Sequence, residues 1–309
     1  MRRDVSFRSV GLLCSGTLYV PDGLEPGRKA PAIILASGFA GEKSFGVTGS
    51  FAERFSQSGF IALTFDYRHF GDSEGEPRHQ LFPLDEVEDV RNAVTWMAGQ
   101  PEVDASRIGL WGTSYGGGIV VYTATFDRRV KAVIAQIPVL VDIDTRVKQD
   151  PEGWTRQGEF LQQDRTDRYT TGRVSVLKIV SAEGEPCALP GKEAFDEYDS
   201  LVRGSSKQPP TWRNEITLES LEKIREFDPV HTVPLLSPTP LLIVAAQSDA
   251  YAPIEALREV RKRAGEHATL TELPMTHFEG YSEAWLPRVV STEIEWLKKH
   301  AWPTSGLSR

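Results

Sequence analysis

The chain has 309 residues, 40% of them hydrophobic and 25% charged, with 43 Asp and Glu against 35 Lys and Arg for a formal charge of −8. That balance excludes global disorder, and the length is far above that of a disulfide- or metal-stapled miniature, so a substantial core is expected. An acidic chain without a basic run excludes nucleic acid as a partner, because neutralising phosphates takes clustered Lys and Arg.

Met1-Arg2-Arg3-Asp4 runs into alternating sequence and not into a signal-peptide core. No apolar run in the chain is long enough to span a membrane, so a cytoplasmic protein with no membrane partner is expected. Residues 5–9 and 12–20 follow one another with no helix between them and read as an antiparallel hairpin at a sheet edge. Short continuous apolar runs then appear at 32–36, 60–65, 107–111, 130–137 and 241–246. Runs of this kind suit strands buried on both faces, as in a parallel sheet.

Between the runs, Val87, Val90, Val94 and Met97 recur at steps of three and four and line one helical face. Ile254, Leu257 and Val260 do the same, as do Val290, Ile294 and Leu297. Strand and helix alternating in this way predict an α/β fold, a mostly parallel doubly wound sheet with an antiparallel N-terminal edge. Its core is expected from residues 1–140 and 239–309. Residues 141–238 lack the alternation and are rich in charge, Gly and Pro. A structureless loop of that length does not suit a compact domain, so a mainly helical cap insertion is expected over the sheet's C-terminal edge. The tail, 303–309, is expected to fray.

Gly112-Thr113-Ser114-Tyr115-Gly116 is a Gly-x-Ser-x-Gly motif directly after a buried strand and before a Gly/Ala/Val-rich helix. A nucleophile elbow needs this placement, with Ser114 on a strained turn and glycines that let strand and helix approach. A serine hydroxyl needs a base. Of the six histidines, His277 lies in the loop after the last strand, where the base is expected. Asp249 ends the preceding strand run and is the expected acid, with Glu279 the next candidate. The lesser alternative for Asp249 is to cap the helix that starts near Ile254. The oxyanion hole is expected from the backbone N–H of Tyr115 and that of Phe39, with Gly38 as the alternative second donor.

The order Ser114, Asp249, His277 is that of the α/β-hydrolases, and the chain is identified as a member of that superfamily over nearly its whole length. It carries Ser37-Gly38 where many members carry His-Gly. Asp66-Tyr67-Arg68-His69-Phe70-Gly71-Asp72-Ser73-Glu74-Gly75 resembles a turn of dienelactone-hydrolase-like proteins. Trp212-Arg213-Asn214-Glu215-Ile216-Thr217 and Ser237-Pro238-Thr239-Pro240 are similar to stretches of one subgroup. That subgroup holds fungal polyketide transferases, toxin-biosynthesis hydrolases and bacterial relatives.

The expected activity is cleavage of a carboxylic ester or thioester through an acyl-enzyme, with a small-molecule acyl substrate. Three alternatives stand beside it: transfer of an acyl or polyketide group to an alcohol or amine, an amidase or peptidase, and a non-catalytic binder on a hydrolase scaffold. Trp154 and Trp212 are candidates for the pocket wall, as are Phe160 and Tyr169, although aromatics of an insertion also serve its own packing. Arg68, His69 and Asp72 read as a hydrogen-bonded turn. Gly38 to Ser44 looks faintly like a P-loop, but Glu42 splits the Gly-Lys pair. No Gly-x-Gly-x-x-Gly follows the first strand and no His-Glu-x-x-His occurs, so neither cofactor nor metal is expected. Cys14 and Cys187 are too few for a disulfide framework or a four-ligand zinc site. A homodimer is compatible with all of this.

Overall fold

A computed structural model describes residues 1–302, and the expected fraying of 303–309 lies outside the described residues. Strand β1 (Arg2–Ser9) pairs antiparallel with β2 (Leu12–Tyr19) across a turn in which Val10 and Gly11 both take positive φ. Next come β3 (Ala30–Ala36), helix α1 (Val47–Gln57), β4 (Ile61–Phe65) and α2 (Pro83–Ala98). Then follow β5 (Val103–Thr113), α3 (Tyr115–Phe126) and β6 (Val130–Gln136).

An insertion intervenes. It comprises α4 (Ile143–Gln149), α5 (Pro151–Thr171), a two-stranded ribbon of β7 (Val176–Leu177) and β8 (Ile216–Thr217), α6 (Lys192–Arg203) and α7 (Leu218–Glu226). The chain then returns through β9 (Leu241–Ala246), α8 (Ile254–Ala264), β10 (Ala268–Leu273) and α9 (Leu286–Trp296). The segment Val230–Leu235 departs from the expected cap and packs on α3 and α8. Among the described residues no helix is long and apolar enough to cross a membrane.

The large sheet has eight strands in the order β1-β2-β4-β3-β5-β6-β9-β10. Only β2 runs against the others, pairing antiparallel with both β1 and β4; the remaining neighbours pair in parallel. The twofold periodicity of a strand explains the unbroken apolar runs. In β3, Ala32, Ile34 and Ala36 face the core shared with α2, α3 and α8. Ile33 and Leu35 face the second core, shared with α1 and α9. Both faces are covered, so no position of the strand is free to be polar. Helix α1 had no clear sequence signal. Gly49 and Ser50 weaken its propensity, and its buried face rests mainly on Phe51, Ala52 and Phe55.

One carboxyl lies inside this second core. Glu293 of α9 is fully buried and accepts a hydrogen bond at 3.0 Å from the indole N–H of Trp111 on β5. Burial holds its carboxyl well above the ordinary range, because the charged form would lose its hydration.

The parallel strands end together at one edge. The loops after β3, β5, β9 and β10 therefore converge there, as open parallel sheets require of a site built from strand ends. The insertion after β6 lies over the same edge.

Candidate active site

Ser114 sits between the end of β5 and the start of α3 at φ 53°, ψ −123°, a conformation that an L-residue adopts only under constraint. Its N–H donates to Gln136 O at 3.0 Å, and its carbonyl accepts from Gly117 and Val139 at 3.0 Å each. The motif glycines permit this packing. A Cβ on Gly112 would come within 2.3 Å of Gly116 O, and one on Gly116 within 2.3 Å of Ser37 O. Neither contact has room for a methyl group.

The structure brings the three side chains singled out in the sequence into one hydrogen-bonded line. Ser114 Oγ lies 2.9 Å from His277 Nε2, and His277 Nδ1 lies 2.7 Å from Asp249 Oδ2. A carboxylate only accepts, so Nδ1 carries the hydrogen and Nε2 is left as an acceptor for the serine hydroxyl. The other oxygen, Asp249 Oδ1, accepts the N–H groups of Tyr251 (2.7 Å) and Ala252 (3.0 Å). One oxygen thus orients the imidazole and the other braces the loop that leads to α8; Asp249 does not cap that helix, whose N-cap is Pro253 with no side-chain cap bond. Glu279 turns elsewhere: it accepts the Thr276 N–H at 2.7 Å and braces the turn that carries His277.

His277 is 2% exposed. Tyr251, Phe278 and Tyr281 surround its ring edge-on, with centroids 4.9, 5.1 and 6.4 Å away. These aromatics fix the ring plane and keep water from its flanks. Tyr281 also shares a 2.8 Å hydrogen bond with Thr113 Oγ1, the residue before the nucleophile. Burial pushes the Tyr281 phenol upward, so it stays protonated.

Tyr115 opens α3, and its N–H has no partner within the helix. In the loop after β3, neither Gly38 nor Phe39 donates its N–H to another group among the described residues. Both stand beside Ser114, and a Cβ on Gly38 would meet Ser114 Cβ at 3.3 Å. The Phe39 ring packs edge-on against Tyr115 at 5.7 Å. From the insertion, Tyr198 on α6 donates its hydroxyl hydrogen bond to the Phe39 carbonyl.

Two cavities meet at Ser114. The smaller, about 60 Å³, is walled by Phe39, Phe45, Leu201, Tyr198 and Tyr281. The larger, about 450 Å³, runs beneath the insertion and is lined by Ser114, His277, Trp154, Arg146 and Arg225, among others. Trp154 is thus a wall residue, with the Arg225 guanidinium stacked 3.4 Å over its ring. Trp212 corrects the sequence expectation, because it lines neither cavity. It is buried, donates its indole N–H to Ala40 O at 3.0 Å and packs on Phe45 and Tyr198. Phe160 and Tyr169 are exposed and also line neither cavity.

The residues of the charged turn are absent from both cavities. Arg68 is buried and clamps Asp89 through Nε (2.8 Å) and Nη2 (2.6 Å). Lys43, from the stretch resembling a P-loop, is held by Asp66 at 2.6 Å and Asp72 at 2.9 Å. Tyr198, Tyr251 and Tyr281 had not been singled out from the sequence. Tyr281, one helical turn past His277, was open to such a reading; Tyr198 lies 159 residues from its partner and gives no local signal.

Residues 11–226 match the X-Pro dipeptidyl-peptidase (S15) family. The quorum-quenching protein AidA of Acinetobacter baumannii is 28% identical over 96% of this chain and 94% of its own length. The thiohydrolase aneE of Aspergillus aculeatus is 30% identical over 82% of this chain and 78% of its own. The polyketide transferase ATR5 of Stachybotrys chlorohalonatus is 31% identical over 84% of each. Among solved structures, the α/β hydrolase GrgF of Penicillium sp. sh18 superposes with a TM-score of 0.82 at 26% identity, covering 97% of this chain and 99% of that one.

Proposed function

We propose, for a chain that belongs to the X-Pro dipeptidyl-peptidase (S15) family and to the α/β-hydrolases, that it hydrolyses a carboxylic ester or thioester through an acyl-enzyme on Ser114. One observation carries this reading: the continuous line from Ser114 Oγ through both nitrogens of His277 to Asp249. His277 Nε2 takes the serine proton as Oγ attacks the acyl carbon. Asp249 keeps the imidazole in the accepting tautomer and stabilises the imidazolium that results. The oxygen of the tetrahedral intermediate is received by the Tyr115 N–H and by that of Phe39 or Gly38. His277 then protonates the leaving alcohol or thiol. Water, deprotonated by the same nitrogen, releases the acid and restores Ser114.

The family name points to peptides, but the charges in the larger cavity favour another substrate. Removing a dipeptide requires holding a free ammonium, which takes carboxylates. The cavity presents Arg146 and Arg225, while its Asp150 caps α5 through Gly153 N–H. The thiohydrolase relative supports a thioester. Acyl transfer is the second reading, favoured by the polyketide transferase relative and by a cavity of about 450 Å³ with room for an acceptor alcohol or amine.

The test is a panel of p-nitrophenyl esters and N-acetylcysteamine thioesters of rising chain length, with an amide alongside and graded alcohol added. Fluorophosphonate labelling is read in parallel. Wild type is expected to turn over the esters or thioesters and to label at Ser114. Ser114→Ala should lose labelling and on the order of 10⁶ in kcat. A variant that kept a tenth of the activity would remove Ser114 from the role. Product partitioning toward the added alcohol would select transfer.

A further inference from the structure

We propose that the substrate of this site carries an anionic group, a carboxylate or a phosphate, bound by Arg146 and Arg225 in the larger cavity while its acyl carbon rests at Ser114. This rests on the ester or thioester reading above and narrows its substrate class.

Both arginines come from the insertion, Arg146 on α4 and Arg225 on α7, and both line the cavity that reaches Ser114 and His277. Both stand over the ring of Trp154, at 5.9 Å and 3.4 Å from its centroid. Their other commitments are few. Arg146 donates Nη2 to Phe227 O at 3.0 Å, and its buried Nε has no partner. Arg225 donates Nη1 to Gln157 Oε1 at 3.0 Å.

Neither forms an ion pair among the described residues, although carboxylates are near. Asp228 is occupied by the N–H groups of Ile143 and Val230 and by the imidazole of His231. Asp142 takes Thr145 N–H and faces Arg263. Asp150 takes Gly153 N–H. The cavity thus holds two guanidinium groups with no carboxylate paired to either. Burial lowers the affinity of each for its proton, and for Arg225 the charge of Arg146 adds to the effect. Two like charges that have lost part of their hydration are relieved by an anion between them. The planar guanidinium fork matches the oxygens of carboxylate or phosphate.

The two cavities also divide the substrate. The small one is apolar on most sides and suits a short neutral group. The long arm, with its anion, goes into the large one. That anion can ride on the acyl chain or on the leaving thiol, and two matched pairs of thioesters separate these cases. The first pair sets an ω-carboxyacyl N-acetylcysteamine thioester against its ω-methyl ester. The second sets a neutral acyl group on phosphopantetheine against the same group on pantetheine.

In one pair, wild type should favour the anionic member in kcat/KM by at least about tenfold, the effect of one charged hydrogen-bonded contact. That ratio should fall as salt is raised and collapse toward one in Arg146→Gln/Arg225→Gln. The neutral member of each pair is the internal reference, so the effect is read as the ratio and not as the rate of either member. If the double variant does not fold, Arg225→Lys and Arg146→Lys read the same ratio, reduced but above one. Turnover of neutral thioesters with no anion preference in either pair overturns the inference alone. So does a preference that persists at its wild-type size in the Gln double variant or in the Lys variants. Absence of all turnover and of Ser114 labelling overturns the ester or thioester reading, and this inference with it.

Discussion

Asp249 grips His277 with one carboxylate oxygen and its own loop with the other. The acid is thereby held in register with the imidazole by two backbone amides, so its position does not depend on the histidine. Asp249→Asn tests this division. The amide oxygen still accepts Tyr251 and Ala252 N–H, while the NH₂ faces Nδ1 and forces the hydrogen onto Nε2. The fold should survive with a melting temperature near wild type, and kcat should fall on the order of 10⁴. Near-normal turnover by a folded Asn variant would transfer the role to another carboxylate.

Trp154 and Trp212 should behave oppositely, although both are tryptophans of the insertion. Trp154→Ala opens the large cavity and should change discrimination between short and long neutral esters by about 1–3 kcal/mol in kcat/KM. Trp212→Ala removes a buried ring from under Phe45 and Tyr198 and should cost about 3–5 kcal/mol of stability, lowering every substrate together. Melting curves beside the ester panel read both effects. A uniform loss in both variants would make Trp154 a strut as well.

Tyr198→Phe deletes one hydroxyl and leaves the Phe39 carbonyl without its partner. That should cost about 1–3 kcal/mol of stability, the expense of an unpaired buried acceptor. The loop that offers the second oxyanion donor also loosens, so kcat should fall about tenfold with KM for a small ester nearly unchanged. An unaltered kcat would mean that the Trp212 contact to Ala40 holds the loop alone.

Glu293 supplies a pH-dependent term far from the site. Its folded carboxyl binds its proton more tightly than the unfolded one. The stability it confers is therefore complete below about pH 4.3 and declines as pH rises toward the folded value, by up to about 1.4 kcal/mol per pH unit. Glu293→Gln keeps an oxygen for the Trp111 indole and has no charge to lose. The stability of the variant relative to wild type should grow between about pH 5 and pH 8, as read by denaturant titration at several pH values. A difference independent of pH would mean that the wild-type carboxyl is ionised in the fold.

Much of the sheet was legible because a strand buried on both faces must be apolar throughout, as in β3 and β9. β5 was only half visible. Its first part, Val103 to Arg107, includes exposed positions that release it from that requirement. Ser114, Asp249 and His277 could be found because each stands where a parallel strand ends, and strand order is written in the chain. The pocket could not be. Trp154 and Trp212 are distinguished only by tertiary neighbours, the one by Arg225 and the other by Ala40 and Tyr198. Helix α5 was equally opaque. It buries only Leu161 and Asp164, too few positions to make an apolar stripe.

Three of the contacts that tie the insertion to the loop after β3 bear on inheritance. Tyr198 holds the Phe39 carbonyl, Trp212 holds that of Ala40, and Thr211 donates to the buried carboxylate of Glu42. Lid and catalytic loop therefore descend as one unit. A chimera that took its insertion from a distant relative would discard the supports under its own oxyanion loop together with the old pocket. Change of substrate within such a lineage has a freer path through α4, α5 and α7, which form the wall around Trp154 and touch none of the three contacts. On α6 and the stretch around residues 211–212, drift in specificity and drift in rate are the same mutation.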